Sequence, residues 1–114
     1  MLRLSHKNLT VYDKSIELVC LIYTATNSFP NDERFGLISQ LRRCAISIPS
    51  NIAEGASRKS LIERKRFYEI SRSSLVEMDT QLEISIKLGH LKRYHMIKIN
   101  RLTNEVFAML SSML

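Results

Sequence analysis

Glycine and proline are scarce in this chain, three and two residues in 114, and tryptophan is absent. A sandwich or barrel needs many chain reversals, so this shortage of turn formers points to long helices with short connections. Aromatic residues make up only 7%, which leaves the core to Leu, Ile and Met. Leu and Met are good helix formers and Ile a moderate one. Long apolar runs are missing as well. The longest, Leu18 to Ala25, is much too short to cross a bilayer. The segment Met1 to Lys14 has no apolar stretch and no small-residue cleavage site of the secretory kind. The two cysteines, Cys20 and Cys44, stand singly in apolar segments, without metal-knuckle spacing or the density of a disulfide scaffold, and are expected to be buried structural thiols. Together these features predict a cytoplasmic protein with no membrane partner.

What is present is ordinary for a folded chain: 45% hydrophobic and 25% charged residues. The length suits one domain spanning residues 1–114. A formal charge of +6 and a pI near 9.6 bias the surface toward polyanions, either nucleic acid or anionic lipid.

Helical periodicity divides the chain into four segments. The first, about residues 11–27, carries Tyr12, Ile16, Val19, Tyr23 and Thr26 at spacings of three and four, with Leu18 and Ile22 widening the stripe. It stops before Pro30. Asn31-Asp32-Glu33 offers a cap and first-turn carboxylates for a second helix, about 32–57, with Ile38, Leu41, Ala45, Ile48, Ile52 and Ala56 facing the core. Pro49 inside it predicts a kink, with a break into two helices as the alternative. Ser60 and Glu63 have the form of a capping box, opening a third helix over about 60–88. Its stripe runs through Tyr68, Ser71, Leu75, Met78, Leu82, Ser85 and Leu88 to a stop at Gly89. The fourth, about 94–113, shows Ile97, Arg101, Asn104, Phe107, Met109 and Leu110 among polar positions. The expected fold is all-α, an up-down-up-down antiparallel four-helix bundle.

Gln40, Arg43, Ser47, Asn51, Glu54 and Arg58 form a second file along the second helix, polar and mutually complementary. Arg43 with Ser47, Asn51 with Glu54, and Glu54 with Arg58 are within hydrogen-bonding spacing. A solvated face is the ordinary explanation. Gly55 beside the file argues for a packed polar interface, because an interior helical glycine costs about 1 kcal/mol and usually admits a close backbone. The partner is either the third helix or another subunit. Small and polar residues of the third helix, Ser71, Ser73, Ser74, Glu77 and Gln81, permit close approach, and Ile70, Ile84 and Leu88 extend its apolar surface beyond the main stripe.

Arg58, Lys59, Arg64, Lys65 and Arg66 gather where the second helix ends and the third begins. Three of them fall in the first turns of a helix, where the macrodipole disfavours cations, so a bound anion such as phosphate would relieve that end. Arg42, Arg72, Lys92, Arg93, Lys98 and Arg101 are spread over several faces and fit a solvated surface. RNA or DNA binding at the cluster would be driven by the phosphate backbone, with little base reading.

Nothing in the sequence asks for catalysis. His6, His90 and His95 have no spacing that puts two imidazoles on one helix face, so no metal or other cofactor is expected. The serines lack a nucleophile elbow, Gly36, Gly55 and Gly89 make no phosphate loop, and Glu77 and Asp79 point to different sides of a helix.

The runs Phe29-Pro30, Glu33 to Leu37, Gln40 to Gly55 and Ser74 to Glu77 resemble the four-helix-bundle proteins encoded in intervening sequences of bacterial large-subunit ribosomal RNA genes. Asn51-Ile52-Ala53-Glu54-Gly55 is the most specific part, and the resemblance extends from about Tyr12 to Leu110. It also reaches the accessory variability determinant (Avd) proteins of diversity-generating retroelements. The resemblance implies a left-handed bundle assembling as a homopentameric ring with a basic, nucleic-acid-binding surface, and for Avd-like relatives a reverse-transcriptase partner. It supplies no catalytic residues. A pentamer would give Arg43, Ser47, Asn51, Glu54, Gly55, Ser74 and Glu77 a common role at subunit or helix contacts. The competing function is a protein-interaction scaffold whose charge is incidental.

Overall fold

Four helices carry the chain in the computed structural model: α1 (Thr10–Thr26), α2 (Leu37–Ser57), α3 (Leu61–Lys87) and α4 (Met96–Ser112). Short 3-10 turns lie at Ser5–Asn8, Asn31–Glu33 and Arg93–His95, and there is no strand among the described residues. The structure describes residues 1–114, with the side chain of Asn8 excepted.

The most extensive packing joins α2 to α3, while α1 packs on α2 and α4, and α4 on α3. Gly55 meets Tyr68, and the Ser71 hydroxyl donates to the Ile48 carbonyl at 2.9 Å, so positions that advance along α3 recede along α2. The same reversal relates α1 to α4, where Lys14 pairs with Glu105 and Glu17 with Lys98. At about 1.5 Å per residue, 27-residue α3 accounts for most of the 44 Å long axis.

The buried stripes of α2 and α3 follow the sequence period closely, through Leu41, Ala45, Ile48 and Ile52 on one and Tyr68, Ser71, Leu75, Met78, Leu82 and Ser85 on the other. The ends of the expected α2 stripe, Ile38 and Ala56, are only half-buried, and on α3 Leu88 is the exception. It is exposed as the C-cap residue, past the last helical turn. Gly89 then adopts φ +79°, and the amides of Gly89 and His90 donate to the carbonyls of Ile86 and Ser85. That is the Schellman pattern, and a Cβ would strain it.

Two expected stripes are rotated. In α1 the buried file is Val11, Ser15, Leu18, Ile22 and Thr26, leaving Ile16 and Tyr23 exposed and Tyr12 and Val19 at the margin. Thr26 is buried as expected, and the difference lies in Ser15, a polar residue that can be buried because its hydroxyl bonds the Tyr12 carbonyl, as that of Thr26 bonds Ile22. Cys20, two residues from both Leu18 and Ile22, therefore falls on the far side and is exposed, against the expectation that both thiols are buried; Cys44 is buried. In α4 the core takes Met96, Ile99, Leu102, Val106 and Leu110, and Ile97 is left 75% exposed.

The start of α2 also differs from expectation. Asn31–Glu33 forms a separate 3-10 turn, and the helix opens at Leu37 after Gly36. Glu33 folds back so that its Oε1 accepts from the Leu37 amide at 3.4 Å, and a Cβ on Gly36 would sit 2.7 Å from that oxygen. Pro49 is buried within α2, which continues unbroken past it, so the two-helix alternative is excluded. Pro49 withholds the amide that would bond the Ala45 carbonyl. Around it the Ser47, Ser50 and Asn51 side chains bond the carbonyls of Cys44, Ile46 and Ser47.

Candidate nucleic-acid interface

The connection between α2 and α3 is three residues long, Arg58-Lys59-Ser60. Arg58 leaves the helix in an extended conformation and Ser60 caps α3, its hydroxyl accepting from the Glu63 amide at 3.3 Å. This tight turn brings both helix ends and their five cations to one end of the molecule. They do not share one face. Successive residues on a helix are about 100° apart, so Arg64, Lys65 and Arg66 fan outward in different directions.

Two of the five are structural. The Arg58 guanidinium lies 4.8 Å from the centre of the Phe67 ring, with one Nη 3.3 Å from the Glu54 carboxylate and its Nε buried without a partner. The Arg64 Nε–H donates to the Arg58 carbonyl, satisfying an acceptor that the end of α2 leaves free. Lys59, Lys65 and Arg66 are exposed and belong to none of the ion pairs among the described residues. Arg66 opens a shallow groove on the outer side of α3, shared with Glu69, Ile70, Ser74 and Glu77.

The cations elsewhere divide: Arg3, Lys7, Lys87, Lys92, Arg93 and Arg101 belong to none of the ion pairs among the described residues, while others are engaged. Arg42 donates to Thr26 and Asn27 and lies over the Tyr23 ring, Arg72 donates to Ser111 beside Phe107, and Lys98 pairs with Glu17.

The residues expected at packed contacts separate into two groups. Gly55 is buried against α3, where a Cβ would meet the Tyr68 ring at 2.7 Å and the Arg64 carbonyl at 3.1 Å. Glu77 is exposed on α3, near enough to the buried Cys44 of α2 that, after burial, its carboxylate is the next cause pushing the thiol up to about 11. The polar file itself faces outward, with Arg43 and Glu54 exposed and Ser47, Asn51 and Ser74 half-buried. Its hydrogen bonds differ from those expected. Only Glu54 with Arg58 forms, whereas Arg43 bonds Gln40, and Ser47 and Asn51 bond backbone carbonyls of α2. Short side chains on a helix reach a carbonyl three or four residues back more readily than one another.

The sequence reading passed over Phe35, which is 88% exposed at the opposite end of α2. Its signal was available, since no helical period assigns this ring to a core.

No helix is long and apolar enough to cross a membrane, and no group of three or more potential metal-binding side chains occurs among the described residues.

No curated protein matches the chain significantly. Among solved structures, it is similar to a protein of unknown function from the S23 ribosomal protein family of Bacteroides thetaiotaomicron VPI-5482. The two are 25% identical, with a TM-score of 0.80 over 90% of this chain and 96% of that one. A family model, 23S rRNA-intervening sequence protein, matches residues 7–112, and the chain belongs to that family.

Proposed function

We propose that this protein is a non-enzymatic, cytoplasmic homo-oligomer that binds RNA or DNA through the basic end of the bundle. Its topology is up-down-up-down with α2 kinked at Pro49, in one domain, and its assembly is a ring, pentameric as the family resemblance and the kinship with Avd proteins imply. The observation that carries the nucleic-acid reading is the state of Lys59, Lys65 and Arg66, which are exposed and unpaired around the start of α3 while Arg58 and Arg64 brace the turn beneath them. Like charges gathered at a positive helix end favour a polyanion. Contacts of this kind neutralise phosphates and read little sequence.

The test is light scattering of nuclease-treated protein, followed by titration with a labelled RNA or DNA duplex. A ring that rebinds duplex at low salt and releases it at high salt supports the proposal. A clean monomer removes the ring, and absence of binding at low salt removes the nucleic-acid function.

One feature favours a scaffold for a protein partner, such as a reverse transcriptase. Ile62, Ile84 and Leu88 leave apolar surface along α3 that the fold does not cover. A defined partner that co-purifies through nuclease and high salt would establish that reading in place of the first.

A further inference from the structure

At the end of the molecule remote from the Arg58–Arg66 cluster, α1 and the beginning of α2 enclose an open groove of about 510 Å³. Arg34, Arg42 and Arg43 line it together with the Tyr23 and Phe35 rings, and no carboxylate does. Its apolar floor comes from Ile38 and Ile46. Arg42 is held in place by hydrogen bonds from Nε to the Thr26 hydroxyl at 2.9 Å and from Nη2 to the Asn27 side-chain oxygen at 3.1 Å, with its guanidinium 4.4 Å from the Tyr23 ring centre. Phe35 projects beside them, 88% exposed, with the Arg34 guanidinium 5.5 Å from its ring centre.

An exposed phenylalanine forgoes the burial that normally justifies its place in a folded chain. The residues around it indicate what would cover it. A second copy of this chain would cover the ring only by bringing carboxylates of its own to three arginines that have none among them, an outcome that the oligomer mass reads below. A neutral apolar partner would leave those arginines desolvated and unpaired. Unpaired nucleotides satisfy both halves of the groove, because each presents a π-face for the ring and a phosphate for the guanidinium groups. A duplex offers phosphates only, its bases being stacked on one another.

We infer that this groove binds single-stranded nucleic acid, with a base stacked on Phe35 and the adjoining phosphates held by Arg34 and Arg43. The inference rests on the proposed nucleic-acid function and extends it, since the Arg58–Arg66 end engages backbone alone while this end distinguishes unpaired strands from paired ones.

The experiment compares nuclease-treated wild type with Phe35→Ala, Phe35→Trp and the triple variant K59E/K65E/R66E. Each is titrated with a labelled 12-nucleotide RNA and with the blunt RNA duplex of the same sequence. Because Phe35 is almost fully exposed, its truncation leaves the core untouched. Phe35→Ala is expected to weaken single-strand binding roughly 5- to 150-fold, the range for loss of one stacked base, with duplex affinity and oligomer mass unchanged. Phe35→Trp is expected to retain single-strand binding, with its indole fluorescence quenched by the RNA. Unchanged single-strand affinity in Phe35→Ala overturns the inference, as does an equal loss for both probes. A changed oligomer mass also overturns it, by making the groove a subunit contact. If the triple variant binds duplex like wild type while Phe35→Ala still loses the single strand, the basic cluster fails and the groove stands.

Discussion

His90 and Glu33 meet across two separate connections, with Nε2 of the histidine 2.9 Å from Oε2 of the carboxylate. The pair ties the turn after α3 to the 3-10 turn before α2. The imidazole also packs at 5.6 Å from the buried Phe29 ring. The other oxygen of Glu33 faces the first amide of α2, so one carboxylate both caps a helix and holds a neighbouring turn. Glu33→Ala should lower stability by about 1–2 kcal/mol, the combined worth of a cap and a hydrogen bond. Denaturant unfolding of the two single alanine variants and the double variant tests the pairing. A coupling energy of at least about 0.5 kcal/mol is expected, and strict additivity would show that the contact contributes nothing.

Gly55→Ala weighs helix propensity against packing. Alanine gains about 1 kcal/mol in a helix interior, but here its Cβ would lie 2.7 Å from the Tyr68 ring. Overpacking of a tight contact costs about 1–3 kcal/mol, so the variant should be destabilised on balance. Thermal unfolding measures the sign, and a raised midpoint would mean that α3 withdraws without cost.

The two thiols should react very differently. Cys20 is exposed, whereas Cys44 is buried and held up to about 11, so at pH 8 a thiol reagent should modify one cysteine rapidly and the other only on unfolding. Cys20→Ser should abolish the rapid phase. The raised value also has a stability consequence. Between the ordinary value of 9.0 and about 11 the folded chain retains a proton that the unfolded chain releases, so stability should fall as pH rises through that window.

Glu105 behaves in the opposite sense. Its hydrogen bond from Lys14 holds the carboxyl below its ordinary value of 4.5, so this contribution to stability is present above 4.5 and is lost as pH falls through the depressed folded value. In Lys14→Met the Glu105 titration, followed by NMR, should move back up toward 4.5. An unmoved titration would assign the shift to another cause.

Much of the fold was legible because α2 and α3 bury apolar residues at strict helical spacing, and Gly89 could be placed as a stop by its conformational freedom. The rotated stripes of α1 and α4 were not. Ser15 looks like a solvent-facing position until its hydroxyl is seen to bond a carbonyl within the helix, and Ile97 looks like core until Met96 and Ile99 prove to occupy it. At the late start of α2, Glu33 turns one oxygen to the Leu37 amide and the other to His90, 57 positions away in the chain, a pairing that no local pattern carries. At the basic end, charge located the cluster, but only geometry separates the bracing Arg58 and Arg64 from the free Lys59, Lys65 and Arg66.

That separation allows the most direct test of the central claim, the salt dependence of duplex RNA binding by wild type and by K59E/K65E/R66E. If these three side chains contact phosphates, the triple variant should bind much more weakly at low salt. Its slope of log affinity against log salt should be shallower by about 2–3, near 0.7–0.9 per lost contact. Equal affinity and equal slope, with the fold and oligomer intact, would contradict the assignment of the basic end as the nucleic-acid interface.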